Sequence, residues 1–233
     1  MPKLAANLSF LFQEASFLER FGAAAAAGFT GVEFLFPYDF APAEIVAQLK
    51  QHGLSQVLFN LPPGDWAKGD RGTAALPGRE NEFLADLERA LEYAVATDCK
   101  RLHAMAGNLP AGADRREATA VYVSNLRRAA DRAAFYGITL LIEPLNKRDN
   151  PGYFLNTTAE AMAILSEVGR YNLKLQLDLY HCQITEGDLA THIRNLAGSY
   201  EHVQIAGVPD RHEPDQGEVN YGCVSKRSAN PSM

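Results

Sequence analysis

The sequence predicts an α/β fold of the TIM-type (β/α)₈ barrel class with its last repeat missing, and three observations predict it. Short β-like runs alternate with helical stripes along nearly the whole chain, an order that implies a parallel sheet covered by helices. The repeats are near-equal in length, and no early glycine-rich phosphate motif follows a strand, which favours a barrel over a doubly wound open sheet. Seven strands and six helices can be read before Tyr221, after which GCVSKRSANPSM shows neither helical nor strand periodicity. On this reading residues 1–221 are one barrel domain and 222–233 a separate tail, and closing the barrel would need two more helices and an eighth strand.

The elements follow in order. Leu4 to Leu8 is the first β-like run, and Phe17, Leu18, Phe21, Ala24 and Ala25 then share one helical face, stopped at Gly28. Strand two is Gly31 to Leu35, and Pro42 opens a helix carrying Ile45, Val46 and Leu49 that Gly53 ends. Strand three, Gln56 to Phe59, is followed by a long loop, Leu61 to Arg79, holding three prolines, four glycines and the single tryptophan, Trp66. A loop longer than about 12–15 residues is uncommon in a compact domain, so this one is a candidate lid. Phe83, Leu84, Leu87, Leu91, Ala94 and Val95 make a helical stripe before strand four, Arg101 to Met105. Tyr122, Leu126, Ala129 and Ala133 make another, ended by Gly137, and strand five, Ile138 to Ile142, runs straight into Glu143. A helix capped at Thr157 or Thr158 and closed by Gly169 leads to strand six, Leu173 to Leu177, and Asp178. The stripe Leu189, Ile193, Leu196 and strand seven, His202 to Ile205, complete the series.

Composition sets the bounds on function. A chain of 233 residues, 47% hydrophobic and 21% charged, suits one soluble globular domain. Its net charge of -6 argues against a nucleic-acid partner, since duplex binding needs Lys and Arg to neutralise phosphates. A local positive pocket can still receive a small anion. The N-terminal segment lacks the basic region and cleavage site of a signal peptide, and no run reaches about 18 apolar residues. Cys99, Cys182 and Cys223 are too scattered for a disulfide framework. The expectation is a cytoplasmic protein with no membrane contact. An open barrel would expose strand edges, which makes homo-oligomerisation an expectation too.

Barrel enzymes carry their chemistry at the C-terminal ends of the strands. Here Glu143 ends ITLLI, Asp178 ends LKLQL, Gln204 lies in HVQIA and His103 in RLHAM. A carboxylate at the end of a buried strand is costly unless paired or bound to a metal. For a single residue a salt bridge or a helix cap is the ordinary reason, but two carboxylates on successive strands point to function. Glu143, Asp178 and the amide oxygen of Gln204 form an all-oxygen set suited to Mg²⁺ or Mn²⁺. His181 falls just past the sixth strand, within reach of the same pocket. Arg211, in GVPDRHEPDQGE, has the planar fork that grips a substrate carboxylate, and His103 is a further candidate for substrate binding. Arg115, Arg116, Arg127, Arg128 and Arg132 read as the solvated outer face of a helix.

The segments AANLSFLF, GVEFLFPYD, FNLPPGDWAKGDRG, ALPGRE, IEPLN, DNPGY, LDLYH, HVQIA and PDRHEPDQGEVNY together resemble those of hydroxypyruvate isomerases, within the xylose-isomerase-like barrel superfamily. The last segment is also similar to 2-oxo-tetronate isomerases. The resemblance runs from residue 1 to Tyr221. It implies an isomerase that interconverts hydroxypyruvate and tartronate semialdehyde through an enediolate, acting on a small hydroxy-keto acid. It implies further that Glu143 is a catalytic glutamate, that Glu143, Asp178 and Gln204 are ligands of a divalent metal, and that His181 faces the substrate. Family members carry a second catalytic glutamate in a GCEY-type segment, whereas here Gly222–Cys223 is followed by Val224. The expectation is therefore a truncated or frame-shifted form with little activity. An inactive form and a metal-dependent nuclease of abasic DNA, which shares the barrel, are the competing readings.

Overall fold

The computed structural model describes residues 3–228, with side chains described as far as Val224. Seven strands pair in sequence order, every pair parallel: β1 (Ala5–Asn7), β2 (Gly31–Glu33), β3 (Ser55–Asn60), β4 (Arg101–His103), β5 (Thr139–Ile142), β6 (Leu173–Asp178) and β7 (Tyr200–Gln204). Each adjacent pair is joined by helix: α1 (Glu19–Ala26), α2 (Pro42–His52), α3 (Glu80–Thr97), α4 (Arg115–Ala134), α5 (Thr158–Val168), then α6 (Leu179–Thr185) with α7 (Leu189–Asn195), and α8 (Tyr221–Ser228) follows β7. The sheet curls into a barrel wall, because the Glu33 carboxylate on β2 reaches His202 and Gln204 on β7 at 2.6 Å each. Among the described residues no eighth strand closes the gap, and β1 and β7 are the sheet edges.

The expected stripes face the sheet, except that Val95, counted in the α3 stripe, is exposed and Leu84 is only partly buried. On α3, Phe83, Leu87, Ala90, Leu91 and Ala94 are buried, and on α4 Tyr122, Leu126, Ala129, Ala130 and Ala133 are. The strands of such a layer are apolar on both faces, and Leu140, Leu141 and Ile142 have no exposed surface. Local chemistry sets the boundaries. Thr157 Oγ1 accepts from Glu160 N, and Glu160 Oε2 accepts in return from Thr157 N, a capping box that starts α5. Gly53 and Gly169 close α2 and α5 in the left-handed conformation. The arginines of α4 are solvated or bridge to neighbouring helices, as Arg132 does with Glu88 at 2.6 Å.

Three features depart from the sequence reading. α6 had no periodic signal because four consecutive residues, Leu179 to Cys182, are buried, and the 3₁₀ turn at Trp66–Lys68 had none because it is three residues long. The segment after Tyr221 is helical despite its lack of pattern; Asn220 starts it, its Oδ1 accepting from Cys223 N at 2.9 Å. Tyr221 also ties the helix start to the end of β7 by donating from its hydroxyl to Ala206 O at 2.8 Å. Lastly, the Leu61–Arg79 loop is docked along half its length, with residues 72–76 buried and residues 65–68 exposed. Gly72 forms a bridge with Ala106, and Ala75 N donates to Ala106 O at 2.8 Å. Its φ of +98° and the 2.2 Å that would separate an added Cβ from Met105 O both demand glycine.

Gly72→Ala is therefore expected to lower the unfolding free energy by about 2–4 kcal/mol, from combined backbone strain and a backbone clash. Urea denaturation followed by circular dichroism measures it; an unchanged midpoint would mean that the loop is not docked this way.

Candidate active site

Parallel pairing gathers the C-terminal ends of the strands on one rim, and the last residue of six strands is polar: Asn7, Glu33, Asn60, His103, Asp178 and Gln204. On β5 the polar residue, Glu143, comes one step past Ile142. His103, Glu143, Asp178 and His181 are all buried. Glu143, Asp178 and His181 come together, each offering a ligand atom within 4.8 Å of the others. His103 stands beside them, its Nδ1 3.3 Å from Asn60 Oδ1 and 3.5 Å from Glu143 Oε2.

Asp178 serves two neighbours with two oxygens. Its Oδ1 accepts from Tyr180 N at 2.8 Å and so caps α6, which places His181 one turn away. Its Oδ2 lies 3.7 Å from His181 Nε2 and 3.5 Å from Arg211 Nη2. Arg211 comes from the loop after β7, stacked between Phe10 and Tyr180 at 5.2 and 4.9 Å from the ring centres, with part of its side chain open to solvent. It is the cation at the rim of the cluster, where an anionic substrate would meet it.

Gln204 does not turn its oxygen to the pair. Its Oε1 accepts from Gln176 Nε2 at 2.8 Å and its Nε2 donates to Glu33 Oε1. The third side chain that converges with the two carboxylates is His181. Glu33 itself was not singled out from the sequence, although a carboxylate inside the apolar run GVEFLF was a signal of the same kind as Glu143. It accepts from Asn7, Gln204 and His202 at 2.9, 2.6 and 2.6 Å. Asn60, Gln176 and Asn146 were also missed, since amides carry no charge pattern to mark them.

Burial, and then the charge of Asp178, push the Glu143 carboxyl well above its ordinary range. Burial pushes His103 down to about 3, so it is neutral at physiological pH, and lowers His181 as well. Two buried carboxylates side by side, with the half-exposed Arg211 3.5 Å from Asp178 as their neighbouring cation, are an oxygen donor set of the kind a divalent cation would fit. The buried oxygen of Gln176 and the buried Nε2 of His103, both without a hydrogen-bond partner, point the same way. Glu143 and Asp178 are the residues that fit such an ion. A second group, Cys182, Glu186 and His192, also converges within 4.8 Å, but both Glu186 oxygens already accept from Thr158 at the start of α5. Between the two groups lies a cavity of about 10 Å³, lined by Asp178, His181, Cys182 and Glu186 among others, with room for one water.

A parallel barrel sheet with buried acid, neutral histidine and a rim arginine at its C-terminal face defines an enzyme acting on a small polar molecule. The chain belongs to the Xylose isomerase-like TIM barrel family, whose profile matches residues 21–227. It is 57% identical over 221 residues to a 2-oxo-tetronate isomerase of Cupriavidus necator, covering 95% of this chain and 85% of that one. It is 45% identical over 226 residues to the hydroxypyruvate isomerase of Escherichia coli, covering 97% and 88%. Among solved structures, one titled AP endonuclease, family 2 from Brucella melitensis superposes with a TM-score of 0.97 at 54% identity, covering 100% of this chain and 90% of that one. A D-psicose 3-epimerase shares the fold at a TM-score of 0.83 and 22% identity, covering 100% and 82%. The curated relatives are named isomerases, and the chain is an enzyme of that class. No helix among the described residues is long and apolar enough to cross a membrane.

The raised Glu143 fixes a sign for stability. The folded state holds that proton more tightly than the unfolded chain, so in chelator, stability falls as pH rises from the unfolded glutamate value of about 4.3 toward the folded one. Glu143→Gln is expected to raise the thermal midpoint at pH 7 in EDTA and to lose that advantage near pH 4. A variant no more stable than the parent at pH 7 would mean that the Glu143 charge is compensated.

Proposed function

We propose that the chain moves a carbonyl between neighbouring carbons of a small hydroxy-keto acid, through an enediolate. The observation that carries the proposal is the buried pair Glu143 and Asp178, flanked by His181 and Arg211 on one rim. Arg211 pairs with the substrate carboxylate and orients it. Glu143, once ionised, takes the proton from the hydroxyl-bearing carbon as general base. His181 donates a hydrogen bond to a substrate oxygen, and burial of the group keeps water from the carbanionic intermediate. Glu143 and Asp178 would hold Mg²⁺ or Mn²⁺, and when bound such a cation supplies Lewis-acid stabilisation of developing negative charge.

Hydroxypyruvate and 2-oxo-tetronate are the two substrates in question. The higher identity to the 2-oxo-tetronate isomerase supports trying the four-carbon acid first. The net charge of -6 favours this reading over the nuclease one, despite the name of the Brucella structure. Proton return to the neighbouring carbon needs a second acid. Gly222, Cys223 and Val224 stand in helix α8 and offer no such group, so the test supplies one from a relative.

The test is isomerisation of each acid by the purified chain after EDTA and after readdition of Mg²⁺ or Mn²⁺, beside a chimera carrying a relative's complete eighth repeat. The chimera is expected to be faster by about 10²–10⁴-fold, the usual contribution of one acid–base group. Glu143→Gln in the chimera is expected to lose a similar factor. Metal-independent turnover, or full activity in Glu143→Gln, would sink the reading. Replacing Arg211 by Gln should raise KM more than it lowers kcat, as loss of uniform binding does.

A further inference from the structure

Beside the catalytic group lies a side chain that touches no reacting atom. Asn146 follows β5 in the segment Glu143–Pro144–Leu145–Asn146 and is completely buried. Two of its N–H groups converge on one atom: the backbone N stands 3.2 Å from His181 Nδ1, and the side-chain Nδ2 stands 2.7 Å from it. A backbone N–H can only donate, so the Nδ1 it faces is an acceptor and carries no proton.

The orientation of the Asn146 amide is fixed by its other contacts. Its Oδ1 accepts from Asp149 N at 2.9 Å, and its Nδ2 donates to Asp149 Oδ2 at 3.0 Å. A flipped amide would set oxygen against carboxylate and nitrogen against N–H. Asp149 is held in turn, since its Oδ2 accepts from the Tyr180 hydroxyl at 2.7 Å and Arg148 Nη2 donates to that hydroxyl at 3.2 Å.

We propose that Asn146 is a positioning residue that locks His181 in the tautomer with its proton on Nε2. This rests on the proposed isomerase reading for its catalytic consequence, but not for the tautomer itself. With Nδ1 occupied by two donors, the single ring proton sits on Nε2, the atom that faces Asp178 Oδ2 at 3.7 Å. His181 is then a hydrogen-bond donor into the site and not a metal ligand through that atom, although it lies within 4.8 Å of Glu143 and Asp178. The cation is left to the carboxylates, and the Nε2 proton to a substrate oxygen.

The test reads the ring directly. Long-range ¹H–¹⁵N correlation spectra of the labelled full chain distinguish a protonated ring nitrogen from a bare one, and the His181 signals are those lost in His181→Gln. The parent is expected to show Nε2 protonated and Nδ1 bare. Asn146→Asp keeps the backbone donor but sets a carboxylate beside Nδ1, whose full charge outweighs a neutral N–H, and is expected to draw the proton to Nδ1. Asn146→Ala keeps the backbone donor and is expected to retain the Nε2 proton. In the chimera, kcat should fall by about 10²–10⁴-fold in Asn146→Asp and by no more than about tenfold in Asn146→Ala, with KM little changed in either. A merely structural role would cost the alanine variant at least as much as the aspartate. A protonated Nδ1 in the parent, or an unmoved proton in Asn146→Asp, would overturn the proposal. If the parent ring reads as expected and neither acid is turned over, the isomerase reading fails and the tautomer assignment stands.

Discussion

Parallel, in-order pairing is the constraint on which the rest of this protein depends. Each crossover through helix returns the chain to the same end of the sheet, so all seven strands finish on one rim. Side chains far apart in sequence, from Asn7 to Gln204, are brought together there by register alone. The strand interiors are free to be apolar on both faces because helices cover the outer face and the curled wall the inner one. Polar chemistry is thus excluded from the layer and concentrated at its end.

That concentration places two glutamates in the same interior with different fates. Glu33 is met by three side-chain donors from β1 and β7. Glu143 has a neutral histidine at 3.5 Å and a second carboxylate nearby; burial and then that charge push its carboxyl upward, against the smaller pull of Arg211 and Gln176. Equal burial therefore yields a strap in one case and a carboxyl that holds its proton in the other. The difference lies in the donors supplied by neighbouring strands, which is where carboxylate roles are usually decided.

Much of this was legible in the sequence. Glu143 and Asp178 stood out because each interrupts an apolar run at its end, and burial makes such an interruption costly. His181 and Arg211 followed from their places just beyond strands six and seven. The long stripes of α3 and α4 fixed those helices because their apolar faces are several turns long. What escaped had no periodic signature: α6 buries four consecutive residues, the Trp66 turn is three residues long, and α8 starts from a capping asparagine and a Tyr221 contact rather than a stripe. The Leu61–Arg79 loop, read as a lid, has a docked half because Gly72 permits a backbone approach that spacing does not reveal. The amide partners Gln176, Asn60 and Asn146 act through where their dipoles point, and only three-dimensional contacts disclose that.

The orientation of Gln204 links the barrel seam to the site. Its amide lies between Gln176 on β6 and Glu33 on β2, donating to one and accepting from the other. For its oxygen to join Glu143 and Asp178, it must leave Gln176, and a rotation of the amide would also withdraw its N–H from Glu33. Glu33 would keep Asn7 and His202, so the strap would weaken without breaking. The amide therefore serves the seam of the barrel, and the group that converges at the rim is Glu143, Asp178 and His181.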